Sequence, residues 1–198
     1  MSVLSEANLN PYLKAHALDL IDWRPWESAT IVEAKELGKP ILLSIGFFGS
    51  SGCKTMLRES FFNESTAEVI NSSFFPIKVD KDSQPEIAKT YQIALQFLTR
   101  NPTGWPLTVF LDPENLMPFF GGTFFSEQAS KEVPAFKDLL HRIAKSYEEQ
   151  KKHKCDKDKK LLDDIELLKS LIKETPGVAK PDSHHYITDS MKNDLRKI

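Results

Sequence analysis

The chain has few cysteines, no strong charge of one sign and no long apolar run. Two of its 198 residues are cysteine, Cys53 and Cys155, and they lie far apart in the sequence. That rules out reading the chain as a disulfide framework, and in a reducing compartment a bridge between the two is not expected. With so few cysteines and no His gathered with Asp or Glu at ligand spacing, no structural zinc site is expected, and nothing in the sequence calls for any other metal or cofactor. The net charge is −2, so no global attraction to nucleic acid or to an anionic membrane is expected. No apolar stretch is long enough to span a bilayer. Residues Met1 to Glu6 show neither a basic start nor an apolar stretch, so no signal peptide is read and the cytoplasm is the expected compartment. No internal repeat is present.

Hydrophobic residues make up 40% of the chain and thirteen residues are Phe, enough for a packed core in one ordinary domain with an extra arm or tail. Asn10-Pro11 opens a short helical segment reaching Leu18, followed by the aromatic, irregular stretch Asp22-Trp23-Arg24-Pro25-Trp26. Glu27 to Leu37 reads as a helix stopped by Gly38 and Pro40. Ile41 to Ile45 is a short run of strand formers and reads as a buried strand. After a turn over Gly46 to Gly49, the hydroxyl of Ser50 or Ser51 caps a helix running to about Phe61. Asn63 and Ser65 start another helix, and Phe74 to Asp80 is a second strand. Ser83-Gln84-Pro85-Glu86 reads as a capping box for a helix ending near Leu98.

A loop over 100–105 leads to a third strand, Pro106 to Leu111, a turn, and a returning fourth strand from Met117 to Gly121. Lys131 to Gln150 reads as a helix with Phe136, Leu139, Leu140, Ile143 and Tyr147 on one side. This order implies an α/β domain, a central mixed sheet with helices on both faces. Residues 1–38 form the arm and first helix, 39–150 the core, and 151–198 a helical extension and polar tail. Within the tail, 151–160 is basic but alternates with Asp156 and Asp158, and positions 161, 165, 168 and 172 make an apolar stripe suited to packing on the domain or on a partner. His184-His185 is too sparse for a metal site.

Several stretches, taken in order, resemble a known family. They are Asn10-Pro11-Tyr12-Leu13 with His16-Ala17; Asp22 to Trp26; Lys39 to Gly46; Met56 with Arg58-Glu59-Ser60-Phe61; Lys78-Val79-Asp80; Gly104-Trp105-Pro106-Leu107; and Phe119 to Thr123. Together they resemble the thioredoxin superfamily, and more closely the uncharacterised thioredoxin-like N-terminal domain of the spermatogenesis-associated protein 20 family. The resemblance implies a thioredoxin-like fold whose redox pair falls on Ser50-Ser51-Gly52-Cys53. Members of that family usually carry Cys-x-x-Cys followed by His; here the first position is Ser50 and the following residue is Lys54. Members usually also continue into a large helical barrel.

Dithiol exchange needs an attacking thiolate and a resolving thiol. Cys53 matches the resolving position, with Lys54 adding a positive charge beside it, or else it is a small half-buried hydrophobe. Ser50 is an N-cap or a vestigial donor; its alkoxide is out of reach near neutral pH without a base beside it. The resemblance implies a cis bond at Trp105-Pro106 facing the motif, either a ledge for an extended peptide or a structural turn. Ser51, Gly52, Lys54, Trp105 and Pro106 are thus the candidate binding residues, with Cys53 and Ser50 at the catalytic positions. His16, Asp22, Trp23 and Trp26 read as a structural arm. Arg58, Glu59 and Asp80 are candidates for an ion-pair network, with Asp80 alternatively a proton-transfer carboxylate.

Three functions follow. The first is a non-redox protein- or peptide-binding module with a degenerate motif. The second is a monothiol oxidoreductase or redox sensor in cell redox homeostasis, forming a mixed disulfide between Cys53 and glutathione or a client protein. The third is a fragment of a longer two-domain protein.

Overall fold

In the computed structural model, residues 10–129 and 134–153 are described. The chain divides into two units, residues 1–150 and 151–198, and the architecture below is that of the first. The sequence readings over 154–198, including Cys155, the 161–172 stripe and His184-His185, lie outside the described residues, as do residues 1–9.

The elements are α1 (Pro11–His16), α2 (Ser28–Leu37), β1 (Ile41–Gly46), α3 (Ser51–Met56), α4 (Glu64–Ser73), β2 (Phe75–Asp80), α5 (Pro85–Thr99), β3 (Leu107–Leu111) and β4 (Pro118–Gly122), followed by α6 over 136–153. The sheet order is β2-β1-β3-β4. β1 and β2 are parallel, and β3 is antiparallel to both β1 and β4. A βαβ half joined to a ββ hairpin, with the motif helix directly after the central strand, is the thioredoxin-like arrangement.

Alternation along the strands divides the core. Ile41, Leu43 and Ile45 of β1, with Phe75, Ile77 and Val79 of β2 and Leu107, Val109 and Leu111 of β3, face α2 and α5. Leu42 and Phe110 point the other way, toward Trp23, Met56, Phe61, Ile70, Phe136 and Leu140. Helices therefore cover both faces, and every residue of β1, β2 and β3 is buried.

Local chemistry moves three of the expected boundaries. The helix after the motif changes at Leu57 into a π-helical turn ending at Phe61, closed by the bond from Phe62 N–H to the Leu57 carbonyl. The extra residue lets both Ser60 and Phe61 point inward. At α5 there is no capping box: Ser83 N–H and Oγ both donate to Asp80 Oδ2, so Gln84 becomes the N-cap and has no side-chain cap bond. The last helix begins at 136 rather than at Lys131. The irregular arm is also tied to the sheet edge, where Arg24 N–H donates to the Pro76 carbonyl and Lys78 N–H to the Arg24 carbonyl.

Candidate functional site

β1 ends at Gly46, and the chain turns through Phe47–Gly49 into α3. Ser50 caps that helix: its extended backbone lets Oγ accept from Cys53 N–H at 3.2 Å. Ser50 is 8% exposed and Cys53 4%. Gly52 lies against the Trp105-Pro106 segment, whose peptide bond is cis. A Cβ at residue 52 would stand 2.7 Å from the Trp105 carbonyl oxygen and 3.2 Å from Pro106 Cδ, so only glycine allows this approach. Ser50, Gly52, Cys53, Trp105 and Pro106 therefore meet in one place. Ser51 and Lys54 are exposed, and Lys54 Nζ rests 5.2 Å from the Phe48 ring centre.

Behind the motif is a polar cluster that the sequence reading did not assemble. The Tyr12 hydroxyl from α1 lies beside the Cys53 sulfur, both packed against Gly46. Gly46 makes room for both, since a Cβ there would come 2.4 Å from the hydroxyl and 2.6 Å from the sulfur. Burial, reinforced by Cys53, Asp80 and Asp19, holds the Tyr12 phenol well above its ordinary value. Below it the strands carry an inward polar row, Lys78 opposite Ser44 and Ser44 opposite Thr108. All three are buried on the arm side of the sheet.

Lys78 is 1% exposed. Its Nζ donates to Ser44 Oγ at 3.1 Å and sits 4.3, 4.5 and 5.4 Å from the ring centres of Phe61, Trp23 and Tyr12. Burial brings its pKa down to about 7, against the opposing pull of Asp19 and Cys53. The Asp19 side chain is 0% exposed. Its Oδ2 accepts from Trp23 Nε1 at 2.7 Å and lies 2.7 Å from His16 Nδ1, while Oδ1 is buried with no hydrogen-bond partner. A crevice of about 40 Å³ between Tyr12, His16, Phe48 and Leu57 reaches Cys53, room for water-sized molecules only.

Asp80 is buried, and it is not a partner of Arg58 and Glu59, which are exposed and joined by no ion pair among the described residues. Asn10 Nδ2 donates to it at 2.7 Å, alongside the two bonds from Ser83, so it anchors the arm to the end of β2. His16 and Trp23 are buried structural members of the arm. The missed residues are Tyr12, Asp19, Ser44 and Lys78. The available signal was a polar residue inside the apolar run of each buried strand, Ser44 in β1, Lys78 in β2 and Thr108 in β3.

His16 gives the cluster a measurable pH dependence. Burial, and then the charge of Lys78, lower its pKa to about 4 against the pull of Asp19. The unfolded chain binds the proton near pH 6.5 and the folded chain does so only near 4, so stability falls as pH drops through that window, by about 3 kcal/mol. Chemical denaturation at several pH values should show this slope, and His16→Phe should flatten it. An equal slope in both proteins would remove His16 from the account. Lys78 acts in a separate window, with stability rising from about pH 7 toward 10.5.

Among the described residues no three of His, Cys, Asp and Glu gather as a metal set, and no helix is long and apolar enough to cross a membrane. The chain is 36% identical over 142 residues to spermatogenesis-associated protein 20 of Homo sapiens, covering 72% of this chain and 18% of that protein. It is 40% identical over 134 residues to an uncharacterized protein of Caenorhabditis elegans, covering 68% and 18%. The chain thus spans less than a fifth of the length of the curated relatives it matches. Among solved structures, one titled DsbH oxidoreductase is 17% identical with a TM-score of 0.45 over 72% of this chain and 92% of that one. A thioredoxin from Thermus thermophilus is 19% identical with a TM-score of 0.46, covering 62% and 86%. The model of the protein family of unknown function DUF255, Thioredox_DsbH, matches residues 3–166, and the chain belongs to that family.

Proposed function

We propose that this thioredoxin-like domain is a protein- or peptide-binding module that does not perform dithiol exchange. The observation that carries this reading is the state of residue 50: its side-chain oxygen is buried and committed to capping α3, where exchange chemistry would need a thiolate. Cys53, the one free cysteine among the described residues, is itself buried. The Trp105-Pro106 segment is the candidate docking ledge, and a reducing cytoplasm suits a chain with one shielded thiol at its motif. The expected result is no insulin disulfide reduction above the uncatalysed rate when the 198-residue chain is supplied with dithiothreitol. Robust turnover by the unmodified protein would overturn the reading.

A second reading takes Cys53 as a lone nucleophile, with the Tyr12 hydroxyl beside its sulfur. In it the Cys53 thiolate attacks oxidised glutathione, forming the mixed disulfide and releasing one glutathione thiolate. Mass spectrometry after incubation with oxidised glutathione decides: no adduct on Cys53 in the folded protein removes this reading. The crevice of about 40 Å³ argues for that outcome, because it is far smaller than a tripeptide.

A further inference from the structure

Beside Trp105 lies a cleft of about 490 Å³ that the reading above leaves without a ligand. Its floor is Pro85 and Ala88 of α5, and its wall is the half-buried Trp105. Two lysines line it, Lys81 from the β2–α5 turn and Lys89 one helical turn into α5, with Gln92 beyond them. Lys81 Nζ is held 4.5 Å from the Phe47 ring centre and 5.8 Å from that of Trp105. These rings fix the cation at the cleft. Asp82, also lining the cleft, pairs with Lys81 at 3.1 Å, but its side chain is 66% exposed and so the pair is solvent-screened. Lys89 is exposed and has no carboxylate within ion-pair reach among the described residues.

The end of α5 adds to the same sign of charge. The cleft lies at the N-terminal, positive end of α5, where Pro85 lines it and Gln84 offers no side-chain cap. Glu86 in the first turn and Asp80, which accepts from Ser83 just before it, offset this charge, and neither lines the cleft. Gly52 packs directly against the Trp105 carbonyl oxygen, while Trp105 also lines the cleft. A ligand in that cleft meets Trp105 together with the two lysines.

We propose that this cleft binds an acidic peptide segment of a client protein, with an apolar or aromatic side chain against Trp105 and carboxylates toward Lys81 and Lys89. The inference rests on the binding-module reading and names the class of client. A chain with a net charge of −2 concentrates cations and aromatic rings here, and such a surface matches negatively charged residues interleaved with apolar ones.

The test uses the full 198-residue chain and three fluorescent ten-residue peptides that share two tyrosines and differ in filling every other position with Glu, Lys or Ser. Fluorescence anisotropy at low and at physiological salt should show the Glu peptide binding at least tenfold tighter than the other two, with weaker binding as salt rises. The double substitution Lys81→Glu/Lys89→Glu should weaken it at least tenfold, while Lys145→Glu on α6 leaves it unchanged. Circular dichroism confirms that each variant is folded. If the Ser or Lys peptide binds equally well and the double substitution changes nothing, the acidic class is wrong while the binding module stands. If none of the three binds, the acidic-client inference fails. Failure of a broader set of client peptides on the same protein would remove the module reading too.

Discussion

Ser50→Cys should give the chain dithiol reductase activity, raising insulin reduction at least a hundredfold over the unmodified chain. The expectation comes from the position of residue 50. It is the N-cap of a helix, where its side chain accepts from the Cys53 N–H, and a helix N-terminus is the environment that lowers a thiol's pKa and makes it an attacking group. Cys53 follows three residues later on the same helix, its backbone already turned toward side chain 50. The introduced thiolate would attack a client disulfide and release one client thiolate. Cys53 would then displace the second, leaving the motif oxidised for dithiothreitol to reduce. The lost hydroxyl cap should cost about 1 kcal/mol, which thermal denaturation would register without preventing folding. Failure to form the motif disulfide under mild oxidation would mean that the two side chains are misaligned. A disulfide that forms but supports no turnover would mean that the client-facing surface has also been lost.

Much of this arrangement was legible in the sequence because the informative residues act locally. Ser50 was readable as a cap because a hydroxyl before a helix has one nearby use, accepting a bond from an N–H two or three residues on. The four strands were readable because each is a short apolar run between breakers, and their mixed pairing follows from which connections contain a helix. The capping box failed because Ser83 had a rival partner. Asp80, buried at the end of β2 and held by Asn10 from seventy residues earlier, takes both Ser83 donors. A four-residue pattern carries no trace of that competition.

The polar cluster was less legible, although part of it left a mark. Lys78 interrupts the apolar run from Phe74 to Val79, Ser44 interrupts Ile41 to Ile45, and Thr108 interrupts Leu107 to Leu111. Each alone reads as a tolerated polar residue. Strand register makes them one row, and register depends on long-range pairing that no local window contains. Tyr12 and Asp19 were harder still, because the arm that carries them acquires its meaning only when it folds across the sheet beside the motif. A charge inside the apolar run of a buried strand was the strongest hint available, since a buried lysine needs partners that the strand itself cannot supply.

Those partners set the second large effect. Asp19→Ala should cost about 3–5 kcal/mol, enough to leave much of the protein unfolded at physiological temperature if the domain has ordinary stability. It removes the acceptor for Trp23 Nε1 and the partner of His16, and leaves Lys78 without its nearby carboxylate. Asp19→Asn separates shape from charge, because the amide oxygen can still accept from Trp23 while the negative charge is gone. At pH 6 Lys78 is largely protonated, so losing the carboxylate should destabilise the folded chain by about 1–2 kcal/mol. At pH 9 Lys78 is largely neutral in the folded state, and a carboxylate facing it has no cation to compensate its burial. The cost of Asp19→Asn should then vanish or reverse. Urea denaturation of both proteins at the two pH values measures this difference. A cost independent of pH would show that Asp19 acts only as a hydrogen-bond acceptor, and that the buried lysine beneath Cys53 takes nothing from the arm's charge.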